Sequence, residues 1–577
     1  MDIFGICKDN NGCGMQRIDD KIFNRLLKGV AGPARYCGGE YNTPAIKGNA
    51  ALNFCMCFPD TYEVGFSNLG IKILFGILNE KDNCACDMAF APHKDFADNL
   101  RAENISLFGL QTRRPLGVFD MVGFSMQYEL SLTNVLYMLD LGGIPLYARD
   151  RSDSHPLVVL GGPVCVNPAP LAAFADIICV GDGEDTLTAL ADLFVSCKYN
   201  GANRREFLTQ AAGIEGVYIP AIGNKVVRAA VKELDKAYFP TSMQVPHVEA
   251  VHNRAVLELF RGCGRGCRFC QAGFIYRPVR RRTPETLVKQ AKRLIDNCGY
   301  DEIGLASLST CDYPHLKELL ALLKPLADKR KVKLSLPSTR VDAFAAEFAA
   351  DGRKGSITFA PEAGTQRLRD VIRKNVTDTD IESSLTAAFR AGFTGAKLYF
   401  MIGLPTETQE DIEGIVKIVH SARALYRAHK TSQKGLALSV SASLFVPKSF
   451  TPFQWEAQDT RDSAGQKQRY LKDALKKLGV RFSYHDTAQS ALEAAFARGD
   501  GKLSAVAVAA YKSGCCFDGW SEHFDMHKWL AAFEACGIDI NEYLGAIDTT
   551  APLPWDIVDI GVSKDFLLAE RKKAYEI

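Results

Sequence analysis

Three cysteines carry the densest chemistry in this sequence. Cys263, Cys267 and Cys270 stand in the stretch RGCGRGCRFCQAG with the spacing C-x3-C-x2-C. Three thiolates can hold three corners of a [4Fe–4S] cube and leave the fourth iron open. An open iron can chelate a small molecule through an amine and a carboxylate. Gly262, Gly264 and Gly266 let a loop wrap closely round such a cluster. The same cysteines have two other readings, a zinc site and buried free thiols. Structural zinc takes four ligands, usually as two pairs, and no second C-x2-C pair is present. Buried thiols do not explain a glycine-laced loop.

The motif resembles the cluster loop of the radical S-adenosylmethionine (SAM) enzymes. Phe269, just before the third cysteine, is the aromatic that this family usually carries there. The resemblance implies that SAM chelates the open iron and that the cluster passes one electron to its sulfonium. Cleavage then gives methionine and a 5′-deoxyadenosyl radical.

Such a loop needs a scaffold. From about residue 254 short β-rich runs alternate with longer helical patterns. They predict strands over 255–260, 302–306, 332–336, 356–359, 396–401 and 438–445. Thr283-Pro284-Glu285 reads as an N-cap, a proline at the first helical position and an acidic first turn, with Gly299 as the stop. Six βα units imply a parallel sheet with outer helices, too few to close an eight-strand barrel. An open (β/α)6 partial barrel is also what the radical SAM resemblance implies.

In parallel sheets ligands collect at the C-terminal strand ends. By the resemblance, Ser307 and Ser309 after the second strand hold the SAM amino group. Arg340 after the third can pair with the SAM carboxylate. The string APEAGTQRLR strongly resembles the family's segment after strand four, which places Glu362 and Arg367 near SAM. Gly403, in IGLPTE, resembles the glycine-rich turn that packs near adenine. Each of these alone reads equally as a cap or a turn; their order behind the cysteine motif joins them.

Residues 50 to 240 also alternate strand and helix, with apolar runs at 52–58, 121–125, 157–160 and 177–180. This predicts a doubly wound α/β domain. Asp60, Tyr62 and Gly65, then Ser125, then Gly161 and Gly162 with Gly181 and Glu184, resemble the cobalamin-binding pattern D-x-H-x-x-G, S-x-L, G-G. The resemblance implies that the glycines let the nucleotide tail of cobalamin thread between sheet and helices. Two positions depart from it: Tyr62 replaces the histidine and Gln127 the leucine. Without that histidine no imidazole ligates cobalt from below. The whole resembles the B12-binding-domain radical SAM proteins, close to one uncharacterised bacterial subfamily.

The expected organisation is a lead-in over 1–45, a Rossmann-like cobalamin-binding-type domain over 46–245, a radical SAM partial barrel over 246–450 and a mainly helical region over 451–577. A net charge of +2 on 577 residues gives no global pull toward nucleic acid or anionic membrane. The basic run 277–282 reads as a solvated loop and helix start. The charge-free run 156–175 holds four prolines and two glycines, which excludes a comfortable membrane helix. Eighteen cysteines without a secretory signal point to reduced thiols in the cytoplasm. The leading expectation is a cobalamin-dependent radical SAM enzyme, a methyltransferase or related catalyst, acting on an unknown substrate and reduced by a donor such as flavodoxin or ferredoxin. A second is an RNA-modifying, methylthiotransferase-like enzyme, with nucleic acid as partner and an extra cluster on Cys55, Cys84 and Cys165. A third is a non-catalytic cobalamin or redox sensor.

Overall fold

The computed structural model describes residues 6–7, 17–335 and 356–577. The first domain begins with β1 (Leu52–Phe58), whose LNFCMCF is apolar at almost every position, as a strand covered on both faces should be. Helix α1 (Leu69–Glu80) follows, capped by Asn68, whose Oδ1 accepts the Ile71 N–H at 3.0 Å. Then come β2 (Cys84–Phe90), β3 (Met121–Ser125), α2 (Leu132–Leu141), β4 (Leu157–Gly161), β5 (Ile177–Cys179), α3 (Gly183–Tyr199) and β6 (Val217–Tyr218). The sheet order is β2-β1-β3-β4-β5-β6, parallel except for β6 against β5. The order reverses between β1 and β3, so their C-terminal ends open a crevice. All four strands read from the sequence are present. Of the other two, β6 is only two residues long, and β2 hides because Asp87 interrupts its apolar run; that buried carboxylate accepts the Gln111 and Thr112 N–H groups at 3.0 and 2.8 Å.

The second half carries two parallel sheets. The first joins β7 (Ala255–Glu258), β8 (Glu302–Ala306) and β9 (Lys333–Ser335), with α4 (Pro284–Cys298) and α5 (Leu316–Arg330) between them. Helix α4 starts and stops as its sequence requires: the Thr283 hydroxyl accepts the Thr286 N–H at 3.3 Å, and Gly299 ends it at φ +69°. The second sheet runs in chain order through β10 (Ser356–Glu362), β11 (Gly395–Ile402), β12 (Ala437–Leu444) and β13 (Arg481–Tyr484). Its connections include α6 (Gln366–Val371), α7 (Asp378–Arg390), α8 (Gln409–His429) and α9 (Arg461–Lys477). Strand β13 is one more than the six expected. It is a short, mostly exposed edge strand, so no apolar run announces it.

The C-terminal helices α10 (Thr487–Arg498), α11 (Leu503–Lys512) and α12 (Met526–Ala535) lie against the first domain, and α10 also packs on α9. Their apolar residues, with fully buried Trp455, Trp529 and Trp555, share one core with α2 and one face of the first sheet. This explains why α2 is buried on nearly every side, Asp140 apart: sheet covers one side and α11 the other. Asp518 stitches the contact, accepting from the Thr133 hydroxyl at 2.6 Å and the Trp529 indole at 2.9 Å. Helix α13 (Lys564–Tyr575) returns to pack on α6. Among the described residues no helix is long and apolar enough to cross a membrane.

Candidate cluster and cofactor site

The cysteine loop leaves the first parallel sheet at the end of β7. A two-residue antiparallel ladder, Phe260–Arg261 with Arg280–Arg281, closes its neck. Gly262 sits there at φ +85°, and a Cβ would stand 2.6 Å from the Tyr276 carbonyl oxygen, so glycine is required. Further on, the Cys270 N–H donates to the Cys267 carbonyl and the Gly273 N–H to that of Cys270, both at 3.1 Å. Burial pushes the Cys267 thiol up to about 11, and the Lys374 ammonium pulls against it. Cys270 is also raised by burial, opposed by the Gly273 N–H and Lys374 and reinforced by Cys263. The three thiols are therefore close enough to feel one another's charge. Among the described residues no group of three His, Cys, Asp or Glu is arranged to hold a metal ion. One tetrahedral zinc would draw the sulfurs to about 3.8 Å of each other; a four-iron cube spreads its thiolates more widely. Cations ring the loop: Lys374, Arg373 beside Gly266, and Arg277 stacked 4.7 Å over Phe274. Cations around the loop suit a cluster held by three thiolates.

The residues expected around SAM converge on this loop to different degrees. Glu362 ends β10 at φ +70°, uncommon for a side chain of its size, just past a bulge after Phe359. Its Oε1 accepts from Lys374 Nζ at 2.9 Å, which sets it beside Cys267 and Cys270. The Ser309 hydroxyl donates to Asp312 Oδ2 at 2.7 Å, and Arg265 of the cysteine loop donates to the same oxygen at 2.7 Å. Ser307 Oγ lies 3.0 Å from Thr310 Oγ1. Phe269 packs half-buried against the core around Ala363 and Leu404. Gly403, at φ +75°, donates its N–H to Glu407 at 2.9 Å, and Glu407 pairs with Lys467 at 2.7 Å. Arg367 is committed elsewhere: its guanidinium holds the Thr406 carbonyl at 2.9 Å and the Asp411 carboxylate, tying the turn after β11 to α6. Arg340 lies outside the described residues.

A cavity of about 490 Å³ occupies the crevice of the first sheet and reaches the second half of the chain. Ser125, Gly161, Gly162, Gly181 and Glu184 line one side, and Arg261 and Ser307 the other. The glycines differ in what they do. A Cβ on Gly161 would meet the protein no closer than 3.7 Å, at Cys179. Gly162 and Gly181 have φ of +110° and +109°, and a Cβ would run into the Met126 and Ala229 carbonyl oxygens. Gly161 thus leaves space, while the other two satisfy the backbone.

Asp60, Tyr62 and Gly65 do not line this cavity, which corrects the expectation that they meet a ligand there. The Tyr62 ring is buried 4.4 Å from Phe66 and 5.4 Å from Phe90, and its hydroxyl donates to Glu40 at 3.0 Å. A Cβ on Gly65 would strike the Phe90 ring. Asp60 accepts the Trp520 indole N–H at 3.1 Å. The motif's residues here pack the core and anchor the C-terminal region. Glu184 does face the cavity, but its carboxylate is held by Arg261 at 2.6 Å.

The basic run 277–282 is a second correction. Arg280 and Arg282 are buried, not solvated. In a strand alternate residues share a face, so they turn inward while Arg281 stays out. Arg280 pairs with Asp182, and Arg282 with Glu258 at 3.2 Å. A triad of Cys55, Cys84 and Cys165 is also not assembled. Cys55 and Cys165 belong to the core on one face of the first sheet and Cys84 to the core on the other.

With this geometry in view, the likenesses to known proteins are informative. Residues 257–419 match the model of the radical SAM superfamily, and residues 70–220 that of the N-terminal region of radical SAM proteins. The chain carries a radical SAM domain, and that domain implies a [4Fe–4S] cluster and SAM. It is 27% identical to an uncharacterized protein of Methanocaldococcus jannaschii, over 84% of this chain and 97% of that one. It is 22% identical to a probable threonylcarbamoyladenosine tRNA methylthiotransferase of Archaeoglobus fulgidus, over 46% of this chain and 62% of that one. Among solved structures it resembles the radical SAM methyltransferase TsrM of Kitasatospora setae at a TM-score of 0.46 and 15% identity, over 70% of this chain and 74% of that one.

Proposed function

We propose that this protein is a cobalamin-dependent radical SAM enzyme, a methyltransferase or a close relative of one, acting at an unactivated carbon of its substrate. The observation that carries the reading is the cavity of about 490 Å³ at the point where the first sheet reverses its order. Its far wall is built by the strand that leads into Cys263 and by Ser307, so a molecule in it would face the cluster side. Cobalamin bound there supplies a transferable methyl group. The chain's own residues hold and orient. Cys263, Cys267 and Cys270 grip the cluster, and Lys374 offsets their charge. Glu362, Ser307 and Ser309 hold SAM by its amino acid or ribose end. Gly161 leaves room for the nucleotide tail. Tyr62, its hydroxyl spent on Glu40 and its ring outside the cavity, would give cobalt no ligand.

The test is direct. Anaerobically reconstituted protein is mixed with hydroxocobalamin and desalted, and its visible spectrum recorded; 5′-deoxyadenosine formation from SAM is measured alongside. Retained corrin absorbance and SAM cleavage are expected. SAM cleavage without retained corrin overturns the cobalamin part. The likeness to a tRNA methylthiotransferase supports a second reading, an RNA-modifying enzyme with an additional cluster. Iron content separates the two: about four irons per chain for one cluster, about eight for two.

A further inference from the structure

A buried ionic network joins the first domain to the root of the cysteine loop. Arg261, two residues before Cys263, is its centre. It reaches Glu184 at 2.6 Å, Glu258 at 2.8 Å and Asp182 at 3.5 Å. Arg280, opposite Arg261 in the neck ladder, also grips Asp182 and donates to the Val231 carbonyl at 3.0 Å. Arg282 completes it, paired with Glu258 and donating to the Leu234 carbonyl at 2.6 Å. These three arginines and three carboxylates are all buried or nearly so, and a fourth buried arginine, Arg228, faces Asp182 and Arg280 from the cavity wall. Glu184 and Asp182 come from the start of α3 in the first domain; Arg261, Arg280 and Arg282 come from the second half. Four members, Asp182, Glu184, Glu258 and Arg261, also line the cavity.

Buried ion pairs bring little net stability, because desolvation offsets the attraction, but they fix geometry. A buried network between a cavity and a cluster loop does more than glue two domains. Arg261 stands two residues before Cys263, so Glu184 and Asp182 would set how much of its charge reaches a cluster held there. Potentials of iron–sulfur clusters follow nearby net charge.

We infer that Arg261 is a positioning residue shared by the two halves, and that Glu184 of the first domain tunes the cluster through it. The inference rests on the assignment of the cluster to Cys263, Cys267 and Cys270, and is independent of what fills the cavity. With Glu184 uncharged, Arg261 is less compensated and favours the reduced cluster.

The test uses the full chain, reconstituted anaerobically, as wild type, Glu184→Gln and Glu184→Asp. Iron content is measured, the midpoint potential is followed by electron paramagnetic resonance, and hydroxocobalamin retention is scored on the same samples. Glu184→Gln should keep its iron and show a higher midpoint potential, and Glu184→Asp should return toward wild type. Should Glu184→Gln not yield folded protein, Arg261→Lys, which keeps the charge and loses the fork, should still bind iron with a displaced potential. Equal potentials in all iron-replete variants would overturn the inference. So would the same potential shift in Glu184→Gln and Glu184→Asp, which would mark a general distortion. Failure of all samples to retain hydroxocobalamin, together with the charge-dependent shift, would support this inference and remove the cobalamin reading. Retention without any shift would do the reverse.

Discussion

Lys374 and Glu362 form an ion pair 2.9 Å long directly beside the cluster thiols. The two act on Cys267 and Cys270 with opposite sign: the ammonium favours thiolate and the carboxylate disfavours it. In the apoprotein, burial holds the Cys267 thiol at about 11, above its ordinary 9.0. Lys374→Met should push thiolate formation to still higher pH, and Glu362→Gln should bring it down. The pH profile of iodoacetamide alkylation in iron-free protein checks both signs. Since the ligand is the thiolate, cluster assembly in Lys374→Met should also need a more alkaline buffer.

Each of Cys263, Cys267 and Cys270 should be indispensable. Alanine at any one should abolish the broad visible absorbance of the cluster and the cleavage of SAM. Full iron and full activity in such a variant would place the cluster elsewhere.

Gly161 and Gly162 are neighbours with different jobs, and valine should separate them. Gly161→Val should fold with little change in thermal stability yet lose hydroxocobalamin retention, because its methyls project into the cavity. Gly162→Val forces a β-branched residue to positive φ against the Met126 carbonyl and should cost about 2 kcal/mol or more. Urea melts read the second effect and desalted spectra the first.

Tyr62→Phe should leave corrin retention intact, since the ring does not line the cavity. It should cost about 1–3 kcal/mol instead, by depriving buried Glu40 and the His247 N–H of a partner. Lost retention at unchanged stability would return Tyr62 to the ligand site.

Strands were legible in both halves as apolar runs: 52–58, 121–125 and 302–306 were readable to the residue. The cysteine loop was legible because thiol spacing and glycine carry chemistry that packing does not imitate. What escaped depends on partners far away in sequence. Arg280 and Arg282 look like a solvated run until Asp182 and Glu258 arrive from elsewhere. Tyr62 stands in a ligand motif, but Glu40 claims its hydroxyl. Arg367 sits in a SAM-like string, yet Thr406 and Asp411 take its guanidinium. Pattern locates a charge; only tertiary contact says whether it is free.

The burial of α2 between the first sheet and α11 has a consequence for synthesis. Leu141 leaves the ribosome about 360 residues before Leu503, the start of the helix that covers it. At about 5–20 residues per second, roughly 20–70 s pass with that oily helix face bare. That face is open to misassociation during the interval, and slowing translation should raise the fraction lost to aggregates.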